Sequence, residues 1–194
     1  MKKINEFEKV VIDVALKIAR SGKGCLIVIK KNEVKYDLLI KQDVKPFDIV
    51  KEQRRLETLA LIDGACIVDL DGNLIAYAAK IKNTKVFPNY GTRHAAAYTA
   101  SLNNNTSILA SEEDRKIRIF KNGKLVMQID ALEKGIEKKT GEIVTLLESV
   151  GVGSIAAIGT TLLAPALGIT IIPGIIVFGS AYYLAKMLLK KENN

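Results

Sequence analysis

No charged residue occurs from residue 149 to residue 185, and this stretch constrains the organisation of the whole chain. Such a run is too long for an ordinary core element, whereas one membrane-crossing helix takes about 20 apolar residues. Pro165, Gly168, Pro173 and Gly174 interrupt it midway. It therefore reads as two short apolar helices, over about residues 150–164 and 173–189, and not as one span. Lys138 and Lys139 precede the run, and Lys186, Lys190 and Lys191 follow it. Positive flanks prefer the cytoplasmic side, and a hairpin leaves both flanks there. The competing reading is a helical pair buried in an oligomer through Gly151, Gly153, Ala156 and Ala157. The expectation is a globular domain over residues 1–142 and an apolar helical hairpin over 143–194, anchored in membrane lipid through residues 150–189.

The globular part alternates helical and strand patterns. Phe7, Val10, Val11, Val14, Ala15 and Ile18 recur at helical spacing within residues 4–20, and Ser21-Gly22-Lys23-Gly24 ends that helix. Residues 25–29 form a short continuous apolar run, the pattern of a strand buried on both faces. Pro46 can open a second helix through Ile49, Val50, Leu56 and Leu59. Residues 65–70 and 74–79 read as strands joined by a tight turn at Asp71-Gly72-Asn73. Thr92 reads as the N-cap of a helix through Leu102. A strand over 107–110 precedes a hairpin of 116–120 and 124–129 around Asn122-Gly123, and a polar helix over 131–139 ends the domain. The expected class is mixed α/β, a central mixed sheet flanked by helices.

The formal net charge is +8, which suits nucleic acid, an anionic surface or a polyphosphate substrate. No helix-turn-helix, zinc-ligand set or aromatic stacking platform supports nucleic acid, and none is expected as a partner. Cys25 and Cys66 each lie in an apolar run, the setting of buried free thiols. Without a signal peptide, the globular part is expected in the cytoplasm.

Three short motifs carry the chemistry. Asp63-Gly64-Ala65 stands at the mouth of a strand, where an aspartate can hold a divalent cation or take a proton. Taken alone, Asp-Gly is most often only a turn. Gly91-Thr92-Arg93-His94 opens a helix, whose first N–H groups and dipole favour an anion, and Arg93 can fork onto phosphate oxygens. His94 is the only histidine. Ser111-Glu112-Glu113 ends a further strand with a hydroxyl and two carboxylates.

In order and spacing, the three resemble the diadenylate cyclase (DAC, or DisA-N) domain, whose members show Asp-Gly-Ala, then Gly-Thr-Arg-His-Arg-Ala-Ala, then Ser-Glu-Glu before a hairpin. Here the stretches read Leu61-Ile62-Asp63-Gly64-Ala65, Gly91-Thr92-Arg93-His94-Ala95-Ala96-Ala97 and Ala110-Ser111-Glu112-Glu113, followed by Ile117-Arg118-Ile119-Phe120-Lys121-Asn122-Gly123. Gly24-Cys25-Leu26-Ile27-Val28-Ile29 looks like the family's first core strand. The resemblance covers about residues 7–129.

The resemblance implies an enzyme that condenses two ATP into cyclic di-AMP across a homodimer of facing sites, with Mg²⁺ or Mn²⁺. Asp63 would be catalytic, helping the cation activate the ribose 3′-hydroxyl. Gly64 and Ala65 would line the nucleotide and Ile81 would lie against adenine. Thr92, Arg93, His94, Ser111 and Glu112 would hold the triphosphate, with Asp63 and Glu112 as the cation's carboxylates. One position departs from the pattern: the arginine after the histidine is Ala95 here. That departure supports an alternative, a membrane-tethered sensor that binds adenine nucleotide without cyclising it.

Overall fold

The computed structural model describes residues 6–87, 91–149, 169–172 and 175–178. The chain opens with helix α1 (Glu6–Arg20), carrying Glu6 and Glu8 in its first turn and Lys17 and Arg20 in its last, as the helix dipole favours. Strand β1 (Cys25–Ile29) follows, buried along its whole length. The edge strand β2 (Tyr36–Leu38) and the two-residue β3 (Phe47–Asp48) lead to helix α2 (Gln53–Ala60). Next come β4 (Ala65–Val68), β5 (Asn73–Ile81) and helix α3 (Thr92–Ala100). Then β6 (Thr106–Ala110), β7 (Lys116–Lys121) and β8 (Lys124–Asp130) precede a 3-10 turn at Ile136–Lys139 and helix α4 (Thr140–Ser149). Strands β9 (Ile169–Ile172) and β10 (Ile175–Phe178) complete the described elements.

The strands form one mixed sheet in the order β2-β5-β4-β1-β6-β7-β8-β10-β9, with β3 also on β5. β1 lies parallel to β4 and antiparallel to β6. Two apolar layers cover the sheet. Val11, Val14, Leu56, Ile143 and Val144, from α1, α2 and α4, pack on the face bearing Cys25, Ile27, Cys66 and Ile119. Ala97 and Ala100 of α3 pack on the other face with Leu26, Val28, Ile67, Leu109 and Phe120. The mixed sheet between helices is the architecture that the alternating pattern indicates.

Several local expectations differ. Pro46 precedes a short strand, and α2 begins only at Gln53, because Phe47 is drawn into the core opposite Leu74. The polar helix expected over 131–139 is a turn and a single 3-10 segment. Arg20 holds that connection: its Nε donates to the Ala131 carbonyl at 2.6 Å, and its guanidinium reaches Glu137 at 2.6 Å. α4 runs across residue 142 and buries Ile143, Val144 and Leu147.

The tail joins the sheet. β10 pairs parallel with β8 (Ile176 opposite Met127, Phe178 opposite Ile129), and β9 pairs antiparallel with β10. Residues 175–178, expected in the second apolar helix, are thus strand, as their β-branched density favours. The remainder of the expected helical hairpin lies outside the described residues. Among the described residues, no helix is long and apolar enough to cross a membrane.

Candidate functional site

Three adjacent strands bring the motifs to one end of the sheet. Leu26 of β1 lies level with Ala65 of β4, and Cys25 lies level with Ala110 of β6. Gly24, Asp63-Gly64 and Ser111 therefore stand side by side at that end.

Gly64 is bound to its place by backbone geometry. Its φ is +100°, and an added β-carbon would lie 2.7 Å from the Ala78 carbonyl carbon and 2.8 Å from the Ala79 nitrogen. Ala78 itself has φ +50°, where the β4–β5 register shifts. The loop before β4 is thereby pressed onto the bulge of β5, and Asp63 is left exposed beside it. Ala65 is buried. Ile81 ends β5, buried with Ala65, Ala79 and Ala97. It also borders a cavity of about 190 Å³ whose other walls include Thr99 and Ala100 at the end of α3 and Leu102 just after it.

The first turn of α3 faces the strand ends. Its N-cap is Gly91 in extended conformation, not Thr92, which is the first helical residue. α3 is docked by Ser107, whose hydroxyl donates to the Ala97 carbonyl at 2.5 Å, and by Thr99, whose hydroxyl accepts the Lys85 N–H at 2.8 Å. Arg93 lies over Gly24, where any side chain would overlap its guanidinium. From there it forms an ion pair with Glu112 at 3.2 Å. Arg93 and Glu112, placed apart in the sequence, are thus direct partners.

Beneath them sits a pair that the motifs do not include. Arg118 of β7, 5% exposed, donates from Nη1 to Asp114 Oδ1 at 3.2 Å and from Nη2 to Oδ2. Ser111 is buried and hydrogen-bonds the same carboxylate. Burial opposes ionisation of Asp114, but the hydrogen bonds from Arg118 and Ser111 hold its carboxyl below the ordinary range. His94 stands beside this pair. Burial first, then the charge of Arg118, pushes its imidazole down to about 4, against the opposing pull of Asp114. The sequence signal for the pair is a lone arginine in the otherwise apolar alternation of Ile117, Ile119 and Phe120.

As donors for a cation the two expected carboxylates differ. Glu112 is engaged by Arg93, whereas Asp63 is exposed and makes no ion pair or hydrogen bond with other described residues. Among the described residues, no three His, Cys, Asp or Glu side chains gather to hold a metal. The residues fit a cation held by one carboxylate together with phosphate oxygens, as Mg²⁺ commonly is. The thiols take no part: Cys25 and Cys66 are buried, and burial pushes Cys25 up to about 12.

Residues 13–125 match the family model described as DisA bacterial checkpoint controller nucleotide-binding, DAC. No curated protein matches the chain. Solved structures are similar to it, two of them as follows. One, a hypothetical membrane spanning protein from Bacillus cereus, is 23% identical with a TM-score of 0.45, over 59% of this chain and 59% of that one. The other, a double mutant of DacA from Staphylococcus aureus, is 21% identical with a TM-score of 0.49, over 76% of this chain and 96% of that one.

Proposed function

The chain belongs to the DAC family of nucleotide-binding domains, and from that premise we propose that it is a diadenylate cyclase, joining two ATP into cyclic di-AMP with release of two pyrophosphates. The observation that carries the reading is the placement of Arg93 over Gly24, which sets the N-terminus of α3 against the strand end bearing Asp63 and Ser111. A helix N-terminus, a guanidinium and an exposed carboxylate at one strand edge suit a polyphosphate whose α-phosphate is attacked.

In this reading Arg93 leaves Glu112 and forks onto phosphate oxygens. Thr92 offers its N–H and hydroxyl at the helix start, and neutral His94 and Ser111 hydrogen-bond the same group. Ile81 and Ala65 give the adenine an apolar wall. Asp63 accepts the proton of the ribose 3′-hydroxyl as the new P–O bond forms and the pyrophosphate bond breaks. A Mg²⁺ or Mn²⁺ on Asp63 and the phosphates would supply charge neutralisation. Phosphoryl transfer rests on such positioning more than on covalent help. Each site holds one ATP, so two subunits must face each other for two bonds to form.

The charge-free run supports a further part of the reading, attachment to a membrane with the nucleotide site on the cytoplasmic side. β9 and β10 lie inside that run, so the anchoring segments would be those on either side of them. Resistance of the membrane-bound fraction to high salt and alkaline wash is the expected result. Full solubility without detergent would remove this part alone.

The test of the activity is purified protein with ATP and each cation, read by mass spectrometry. Cyclic di-AMP formation is expected. ATP binding with no product under either cation would favour the second reading, a nucleotide sensor, which Ala95 motivates.

A further inference from the structure

On one side the sheet ends at β2, and the chain bends at Leu39 and Ile40 just past it. Leu39 still donates its N–H to the Ala78 carbonyl at 2.9 Å. At Gln42 a side chain stands in for the backbone. Its amide oxygen accepts the Tyr77 N–H at 3.0 Å, and its amide nitrogen donates to the carbonyls of Tyr77 at 3.1 Å and Ile40 at 3.2 Å. The Asp43 N–H donates to the Tyr77 hydroxyl at 3.1 Å. The segment is thus held off β5 in a fixed shape, and Leu38, Leu39 and Ile40 are 47%, 45% and 44% exposed.

Three consecutive exposed apolar residues at a sheet edge are an arrangement that proteins avoid unless something covers them. The surroundings widen this surface. A β-carbon on Gly64 would meet the same Ala78 carbonyl carbon at 2.7 Å. The Leu39 nitrogen therefore lies within about 9 Å of the Gly64 α-carbon. Leu61 and Ile62, also exposed, lead into that glycine. An interface of standard size, about 800 Å² per partner, is wide enough to take in both stretches.

Charge and symmetry name the occupant. Asp37 lies two residues before Leu39, and Lys41 lies two residues after it. A two-fold axis at Leu39 reverses the segment, so that Leu38 meets the partner's Ile40 and Asp37 meets the partner's Lys41. A parallel setting would instead put like charges together. Both charges are at hand. Lys41 is 89% exposed, and its contact with Asp43 is a loose 3.8 Å. Asp37, 61% exposed, is paired through Oδ1 with Lys82 at 2.7 Å and carries a second oxygen. The described part of the tail lies elsewhere: β9 closes the other end of the strand order, eight strand spacings from β2, or about 38 Å.

We propose that the edge from Asp37 to Lys41 docks a second copy of this chain about a two-fold axis at Leu39, with the two Asp37–Lys41 pairs fixing the register. This docking needs no nucleotide, so it stands apart from the cyclase reading.

The experiment uses the full chain in detergent carrying L39C, with L132C, exposed on the turn after β8, as the control. Cys25 and Cys66 are buried and do not compete. The axis brings the two Leu39 positions within the ~4–7 Å between α-carbons that a disulfide spans, so under mild oxidation L39C should form an interchain disulfide about tenfold faster than L132C. D37K or K41D, each added to L39C, sets like charges against each other and should slow that linkage about tenfold. An equal mixture of the two reversed chains restores opposite charges and should regain the rate as a heterodimer. Both reversals lie at exposed positions and should leave the melting temperature in place. An L39C chain that links no faster than L132C overturns the proposal. So does a mixture that links no faster than either reversed chain alone.

Discussion

Arg93 and Glu112 meet at 3.2 Å above Gly24, each about half exposed, so the arginine proposed to bind phosphate is held in place by a carboxylate on the neighbouring strand end. Exposed pairs of this kind contribute about 0–1 kcal/mol to folding. Their separation can therefore be driven by a better partner, and a triphosphate is one.

The first prediction separates the two partners. R93A should raise the dissociation constant for ATP by about 10- to 100-fold, the worth of a charge-assisted fork. E112A should leave stability within about 0.5 kcal/mol of wild type and cost less affinity. Calorimetric titration measures both. An E112A loss equal to that of R93A would show that the carboxylate itself meets the ligand's cation.

Gly24 offers a second test of the same contact. A β-carbon there would overlap first the far end of the flexible Arg93 side chain, with the Ala110 carbonyl oxygen next at 3.3 Å. Gly24→Ala should therefore fold with little change in melting temperature but turn Arg93 aside, weakening ATP binding about as much as R93A does. Retained affinity would show that the guanidinium finds another path.

Gly64 behaves in the opposite way. Its φ of +100° and the 2.7 Å approach to the Ala78 carbonyl carbon leave a methyl no escape. Gly64→Ala should cost about 2–4 kcal/mol, a fall of about 5–15 °C in melting temperature for a chain of this size. Gly91→Ala, with extended backbone and nothing near the added carbon, should cost only about 0.5 kcal/mol. Equal losses at the two glycines would refute the assigned roles.

Asp63→Asn is the cleanest catalytic test because Asp63 is exposed and contacts no described side chain by hydrogen bond or ion pair. Stability should stay within about 0.5 kcal/mol while cyclic di-AMP formation is lost. ATP affinity without cation should be unchanged. Full product from the variant would end the assignment.

Periodicity made α1, β1 and the β7–β8 hairpin legible, because each has a local pattern that the fold keeps. β2 escaped notice since Tyr36, Asp37 and Leu38 show no alternation and form an edge strand only through pairing with β5. α4 escaped because Arg20, far back in the chain, holds residues 131–137 as a turn. The hydrophobicity of the tail's β-branched run suits a helix in lipid as well as a strand, and only the pairing of Ile176 to Phe178 with β8 decides between them. The motif residues Asp63, Arg93, His94 and Ser111 were visible as types and spacings. The Gly24–Arg93 approach and the Arg118–Asp114 pair under His94 were not, because they exist only once β4, β1, β6 and β7 lie side by side.

The last prediction concerns pH. The His94 imidazole titrates near 4 in the folded chain against an ordinary 6.5, chiefly through burial and then through Arg118. The charged groups acting on it are Arg118 on β7, which lowers it, and Asp114 in the turn before β7, which raises it. A depressed histidine binds fewer protons folded than unfolded, so its contribution is complete above 6.5 and is lost as pH falls through about 4. Asp114, also held low, adds a loss in the same direction once acid protonates it. NMR titration of the single histidine should give a midpoint well below 6.5, raised in R118L and lowered further in D114N. A midpoint at 6.5 in all three proteins would contradict this environment. Because the imidazole is neutral throughout pH 6–8, it meets phosphate as a hydrogen-bond partner and not as a cation, and turnover across that range should show no inflection from His94.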